Sequence, residues 1–335
     1  MAQDNKPTKI IPGIHQITLP LRDNPANEIN TYLIEGNNEI VLIDTGWEDP
    51  EALDDLSCQL NHLKLKPEDI SRVIYTHIHP DHFGLAGILK QRFGTELVVH
   101  RIGKELIEYR YFGRETFIPE LGDYHILHGG TQAHWDAVVE MSTIYIDHVV
   151  PVLPDTLLQG NEIISIEPFT LEAIWTPGHE QDHICFYEPT HKLLFSGDHI
   201  LPDTIPHVGM QVETSVNPLG NYLKSLQKIR HVNAVTVLPG HECVFGNLQQ
   251  RVDELLSYHQ KLQSEILEII RHKPCTAYEI ASQISWMENP VIWNKLPPMV
   301  QAGLVSKTLA YLEAFQIEKK VERLDKPNGT VYNAV

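Results

Sequence analysis

Apolar residues near the start of the chain recur in short runs closed by turn residues. Ile14 to Leu19, Ile29 to Ile34 and Glu39 to Ile43 read as strands, and Gly36-Asn37-Asn38 joins the last two as a hairpin. From Pro50 to Leu63 the apolar spacing is nearer 3.6 than 2, which predicts a helix, and Arg72 to Thr76 returns to strand. Gly84 to Phe93 reads as a helix and Glu96 to His100 as the next strand. Arg72 to His100 is therefore a β-loop-α-β unit whose loop is Thr76-His77-Ile78-His79-Pro80-Asp81-His82. Residues 103–150 carry a mostly helical pattern rich in Tyr, Phe, His and Trp. Strand pattern resumes at Ile163 to Ile166, Leu171 to Trp175, Ile184 to Tyr187, Lys192 to Phe195 and Ala234 to Leu238, with an amphipathic helix at Asn217 to Arg230. A long helix pattern from Leu248 to His272 leads into a tail.

Charge divides the chain at the same place. Lys+Arg number 26 against 44 Asp+Glu, a net charge of −18, while residues 251–335 hold 10 of each, so the whole excess belongs to residues 1–250. This predicts a catalytic domain over 1–250, with a helical insert at about 103–150, and a small C-terminal domain over 251–335. In the tail, Thr276 to Ala281 resembles the first helix of a helix-turn-helix, Met299 to Phe315 reads as a second helix, and Val321 to Tyr332, with Asn328-Gly329, reads as a hairpin wing. That second helix offers only Lys307 and Gln301 for reading bases, so a structural or dimerising role is expected rather than DNA binding. The acidic balance argues against a broad polyanion surface. A polar start without an apolar leader, and no stretch of membrane-spanning length, point to a cytoplasmic chain. Cys58, Cys185, Cys243 and Cys275 stand far apart and suggest neither a thiolate zinc site nor a disulfide framework.

The chemistry lies in the histidines, of which there are 19. His77 and His79 are two apart at a strand end, so their side chains leave on one side and suit one metal. Asp81 and His82 follow Pro80 where the chain bends, which suits a second metal about 3.5–4 Å away. His179, Asp198 and His241 each follow an apolar strand and a glycine, and glycine there lets backbone come close to a metal. Five imidazoles and two carboxylates are too many donors for one four- or five-coordinate ion and fit two ions sharing a bridge.

Taken with Asp44-Thr45-Gly46, these motifs in this order resemble the metallo-β-lactamase superfamily over roughly residues 14 to 245. The resemblance implies an α/β fold, the αβ/βα sandwich of two mixed sheets with helices outside. It also implies that His77, His79 and His179 hold the first zinc, that Asp81, His82 and His241 hold the second, and that Asp198 bridges them. The tail resembles the winged-helix extension of a subgroup of these hydrolases. True β-lactamases commonly lack the bridging aspartate, and diiron flavoprotein relatives carry Glu where His79 stands. The full donor set is similar to that of glyoxalase II-type thioesterases, acyl-homoserine lactonases and phosphodiesterases.

Two cations sharing a water lower its pKa from 15.7 toward about 7, so a metal-bound hydroxide needs no serine or cysteine nucleophile. Zinc suits the mixed N/O donors, as do manganese and iron. Asp81 is expected to orient the nucleophile and pass a proton to the leaving group, and Asp44 to hold a histidine N–H. His207 is expected at the mouth of the site as a substrate contact. His183 and His199 read equally as partners of the metal-binding side chains or as ordinary buried histidines. The insert aromatics, among them Tyr111, Phe112 and Trp135, read as a lid, a pocket wall or plain packing. The leading expectation is a dinuclear hydrolase of a small thioester, ester or lactone. A single-stranded RNA nuclease or phosphodiesterase and a non-catalytic metal module are the alternatives. A small-molecule substrate and a homodimer are the expected partners, with no membrane and no nucleic acid.

Overall fold

The structure is a computed structural model that describes residues 6–22, 24, 26–210, 212, 217–286, 293–327 and 329–335. Among these, two sheets stack face to face. The first contains β1 (Thr8–Ile11), β2 (Ile14–Pro20), β3 (Glu28–Glu35), β4 (Ile40–Ile43), β5 (Ile70–Ile74), β6 (Glu96–His100) and β7 (Thr156–Leu158), in that order. Its first four strands are antiparallel, and β4 through β7 are parallel. The second contains β8 (Ile163–Ile166), β9 (Phe169–Trp175), β10 (Ile184–Glu188), β11 (Leu193–Gly197) and β12 (Thr236–Pro239); β8 to β11 are antiparallel, and β12 runs parallel to β11.

The inner strands β4, β10 and β11 are buried on both faces and are near-continuous buried runs, whereas β2, β8 and β9 alternate. Tyr32, Ile34, Val41, Ile43 and Ile74 of the first sheet meet Phe169, Leu171, Ile184, Phe186 and Phe195 of the second in the central layer. Leu33, Leu42, Val73 and Leu97 point the other way, into a layer with α1 (Ala52–His62), α2 (Pro80–Phe83), α3 (Ala86–Phe93) and α4 (Arg101–Ile107). Cys185, Tyr187, Leu194 and Val237 face α7 (Pro218–Ile229), α8 (Leu248–Arg271) and α10 (Pro298–Ile317). The arrangement is the expected αβ/βα sandwich. On α7 the buried stripe is Leu219, Tyr222, Leu226 and Ile229, at helical spacing.

The helix expected over Gly84 to Phe93 is α3, which starts two residues later at Ala86 and is preceded by the separate short α2. A Cβ at Gly84 would stand 2.3 Å from the Trp47 Cα, so only glycine lets the two segments cross this backbone. The insert comprises α4, a wide π-helical turn at Glu108–Phe112, α5 (Arg114–Leu127) and α6 (Gln132–Asp147). The tail supplies α8, α9 (Ala277–Ala281), α10 and a hairpin of β13 (Val321–Lys326) and β14 (Gly329–Ala334). Asn328 of its expected turn lies outside the described residues. The apolar layer against β10 and β11 continues through α8 and α10 to Val321 and Tyr332, and α6 of the insert packs on α10. No helix among the described residues is long and apolar enough to cross a membrane.

Strand direction gathers the candidate residues at one edge. β9, β11 and β12 run one way in the second sheet and β4 and β5 run together in the first, so the loops after all five open toward the same place. The two sheets are clamped there by Asn30 of β3. Its backbone N–H donates to the Gly240 carbonyl (2.7 Å), and its Nδ2 donates to the carbonyls of Glu242 (2.7 Å) and Pro239 (3.2 Å). Tyr32 donates its hydroxyl to the same Pro239 carbonyl at 2.7 Å. Replacing Asn30 by Ala strips buried carbonyls of a donor and should cost about 1–3 kcal/mol. Urea unfolding should show a lower midpoint at unchanged slope; an unmoved midpoint would show that the clamp carries no stability.

Candidate metal centre

Each candidate side chain sits on a loop leaving a strand or on the short helix that follows it. Asp44 follows β4, His77 and His79 follow β5, Asp81 and His82 begin α2, and His179, Asp198 and His241 follow β9, β11 and β12. Among the described residues their donor atoms fall into three overlapping groups able to hold an ion: His77 with His79 and His179, Asp81 with His82 and His241, and His77 with His82 and Asp198. Asp198 lies between the other two groups. Its oxygens stand 3.4 Å from His82 Nε2, 3.6 Å from His241 Nε2 and 3.7 Å from His179 Nε2.

An imidazole bound to a metal must turn one nitrogen inward and anchor the other. That division is visible at all five histidines. His77 Nδ1 meets the Thr76 hydroxyl (3.0 Å), His79 Nε2 meets Glu180 (2.7 Å), and His82 Nδ1 meets Asp44 (2.8 Å). His179 Nδ1 donates to the His207 carbonyl (2.7 Å) and His241 Nδ1 to the Glu28 carbonyl (2.9 Å). The anchors are themselves anchored. Asp44 accepts from the Thr76 N–H (2.8 Å) and hydroxyl (2.7 Å), held there by a left-handed backbone at φ 60°. Glu180 accepts from Arg110 at 2.9 Å. Inside the ring, His77 Nε2, His82 Nε2 and Asp198 Oδ1 are buried with no hydrogen-bond partner among the described residues. Unpaired buried polar atoms converging on one point are costly unless something fills it, and divalent metals fit this N/O set.

Glycine makes the close approach possible. A Cβ at Gly240 would lie 2.7 Å from both Asp198 Oδ1 and His82 Cε1, and one at Gly197 would lie 2.7 Å from His183 Nε2. His183 braces the loops around the cluster, since its Nδ1 meets Thr176 at 2.8 Å and its Nε2 accepts the Asp198 N–H at 3.2 Å. His199, by contrast, has neither ring nitrogen hydrogen-bonded among the described residues and lies against Tyr222.

The electrostatics favour a cation. Burial holds His77 well below its ordinary pKa, helped by the neighbouring histidines, so its inward lone pair is free of a proton. Burial opposes charge on His82 and His241 too, yet the surrounding carboxylates overcome it and raise both, His241 to about 9. Asp198 is held well below the carboxylate range by His241 and His82 despite burial.

Sequence reasoning missed Glu180, Arg110 and Thr76. Glu180 adjoins His179, a position that invites inspection. Arg110 lies in the π-helical turn, which presents it to Glu180 and sends the Tyr111 hydroxyl to the Ile78 carbonyl. His207 contributes its carbonyl to His179, while its ring lines a cavity shared with His79 and His179. Of the insert aromatics, Tyr111 lines a cavity beside His79, Phe112 is 55% exposed, and Trp135 is tied to Asp123.

The family model for the Metallo-beta-lactamase superfamily matches residues 25–241, and the chain belongs to that superfamily of metal-dependent hydrolases. The chain is 22% identical to the "Probable metallo-hydrolase YqjP" of Bacillus subtilis over 92% of its own length and 93% of that protein's. It is 28% identical to the "Atrochrysone carboxyl ACP thioesterase" of Aspergillus fumigatus over 71% of its own length and 58% of that protein's. Among solved structures it resembles a metallo-beta-lactamase family protein from Thermus thermophilus. The TM-score is 0.82 at 26% identity, with 98% of this chain and all of the other covered.

Asp44→Asn would present an amide where His82 and Thr76 require an acceptor. Metal affinity, measured by chelator competition, should fall about 10- to 100-fold with circular dichroism unchanged; unaltered affinity would remove Asp44 from the site. Asp182 offers a pH test. It is buried without a hydrogen bond to either oxygen among the described residues, and burial, then the charge of Glu180, pushes it up to about 7. A carboxyl raised in the folded state stabilises fully below its unfolded value of about 3.9, and that stability is lost as pH rises through about 7. Asp182→Asn should therefore raise the Tm of metal-free protein more at pH 8 than at pH 5; equal shifts would contradict this.

Proposed function

We propose that this superfamily member is a two-metal hydrolase of a small thioester, ester or lactone, with donors similar to those of glyoxalase II-type thioesterases. One observation carries the reading: two triads of inward donors with the Asp198 carboxylate between them. On this reading His77, His79 and His179 hold one ion, Asp81, His82 and His241 hold the other, and Asp198 bridges. Zinc is the ion the donor set favours, with manganese or iron as substitutes. When bound, the pair supplies an acidified water and a Lewis-acid contact for the carbonyl oxygen.

The chain's own groups do the rest. Burial works against the Asp81 carboxylate, but His82 and His241 outweigh it and bring its pKa to about 2, so it is ionised at neutral pH. From 3.3 Å beside His241 it orients the attacking water and carries the released proton to the leaving group. Glu180 and Asp44 keep His79 and His82 fixed, and His207 meets the substrate at the cavity wall. We assign catalysis to residues 1–250. Residues 251–335 form a winged-helix-like extension that backs the catalytic part and offers a surface for a second copy.

Two features favour an acyl substrate over RNA. The relative named a thioesterase is matched over 71% of this chain, and Arg110, a cation lining the cavity, is paired with Glu180. The test is to assay metal-loaded protein in parallel on thioesters, lactones and single-stranded RNA. Thioester or lactone turnover should vanish with chelator and return with zinc. His79→Ala should lose about 10²-fold or more in kcat/KM, the several kcal/mol a metal contributes. Cleavage of RNA alone would overturn the reading.

A further inference from the structure

The metal cluster opens onto more apolar space than its chemistry needs. Two cavities, of about 520 Å³ and 300 Å³, share His79, Arg110, Phe117 and Leu121 as walls. Both lie within or near the usual range of small-molecule sites. The smaller runs from His79 and His179 between α5, α6 and α10, and its far wall is Val138, Met299, Ala302 and Gly303. It is therefore built jointly by the insert and the tail.

Its polarity is telling. The charges at the metal end, Arg110 and Glu180, are paired with each other at 2.9 Å. His125 on the wall is 7% exposed, and burial with the nearby His134 pushes it down to about 4, so it is neutral. Beyond these come His207, Ser142 and Ser306 among apolar side chains. Hydrocarbon would find apolar walls here, and the Arg110 cation is already matched by Glu180.

We propose that this space receives the acyl side of the substrate and that the enzyme prefers an apolar, medium-length acyl chain, with α10 setting the length. The proposal rests on the acyl-hydrolase reading and adds the class of acyl group. Gly303 is the gauge. It lines the cavity, and a Cβ added there would meet no atom of the described residues within 4 Å, so a longer side chain at the cavity wall has room without displacing the fold. Removing a helical glycine also favours the helix. Met299 acts in the opposite sense, because shortening it deepens the same wall.

The experiment has two arms on the metal-loaded, full-length protein. In the first, acyl thioesters from acetyl to decanoyl are compared. Wild-type kcat/KM should rise about fourfold per methylene until the space is full, the factor that corresponds to about 0.8 kcal/mol per buried methylene. Gly303→Leu should lower the octanoyl-to-acetyl ratio at least about tenfold, and Met299→Ala should move the optimum to longer chains. In the second arm, octanoate binding is measured by calorimetry, independently of turnover, and should weaken in Gly303→Leu. Thioester turnover with a flat chain-length profile, unaltered in both variants, would overturn the acyl pocket and leave the hydrolase reading standing. Octanoate binding that Gly303→Leu weakens, in a protein that turns over no thioester, ester or lactone, would support the pocket and sink the acyl-hydrolase reading.

Discussion

A buried imidazole has two nitrogens, and this fold gives them opposite duties. Outward nitrogens of the five clustered histidines are fixed by a hydroxyl, two carboxylates and two backbone carbonyls. Inward nitrogens are left to converge with Asp81 and Asp198. Were the outer bonds missing, each ring could turn to satisfy itself, and the cluster would collapse into ordinary hydrogen bonds. Thr76 shows the economy of the arrangement: its backbone and hydroxyl fix Asp44, Asp44 fixes His82, and the same hydroxyl accepts from His77.

The sandwich exists to make that convergence repeatable. The inner strands of both sheets pack against apolar layers on either side, which sets their register, so the loops that follow them start from rigid points. Parallel neighbours β4 and β5 in one sheet, and co-directional β9, β11 and β12 in the other, deliver five loops to one edge. The insert and the tail meet beyond that edge, where α6 packs on α10, and enclose the space that the histidine and aspartate cluster faces. Chemistry therefore comes from strand ends, and the shape of the pocket from helices added to the sandwich.

Much of this could be read from residues alone. The strand runs, the H-x-H-x-D-H loop and the Gly-His and Gly-Asp turns stand close to where patterning puts them, because two-sided burial writes long apolar runs and close backbone approach writes glycine. The edge strands β1 and β7 escaped notice because they are short and largely exposed, so no run of buried apolar residues marks them. The partners of the histidines were harder. Glu180 meets His79 across 101 residues and Arg110 meets Glu180 across 70, distances over which no local periodicity carries information. The π-helical turn that presents Arg110 has no sequence signal, and the help His207 gives through its carbonyl is invisible to any reading of side chains.

Anomalous diffraction at the zinc edge, from crystals of zinc-saturated protein, tests the central claim most directly. Two peaks about 3.5–4 Å apart are expected, one against His77, His79 and His179 and one against Asp81, His82 and His241, with Asp198 touching both. A single peak under saturating zinc, or peaks remote from these side chains, would contradict it.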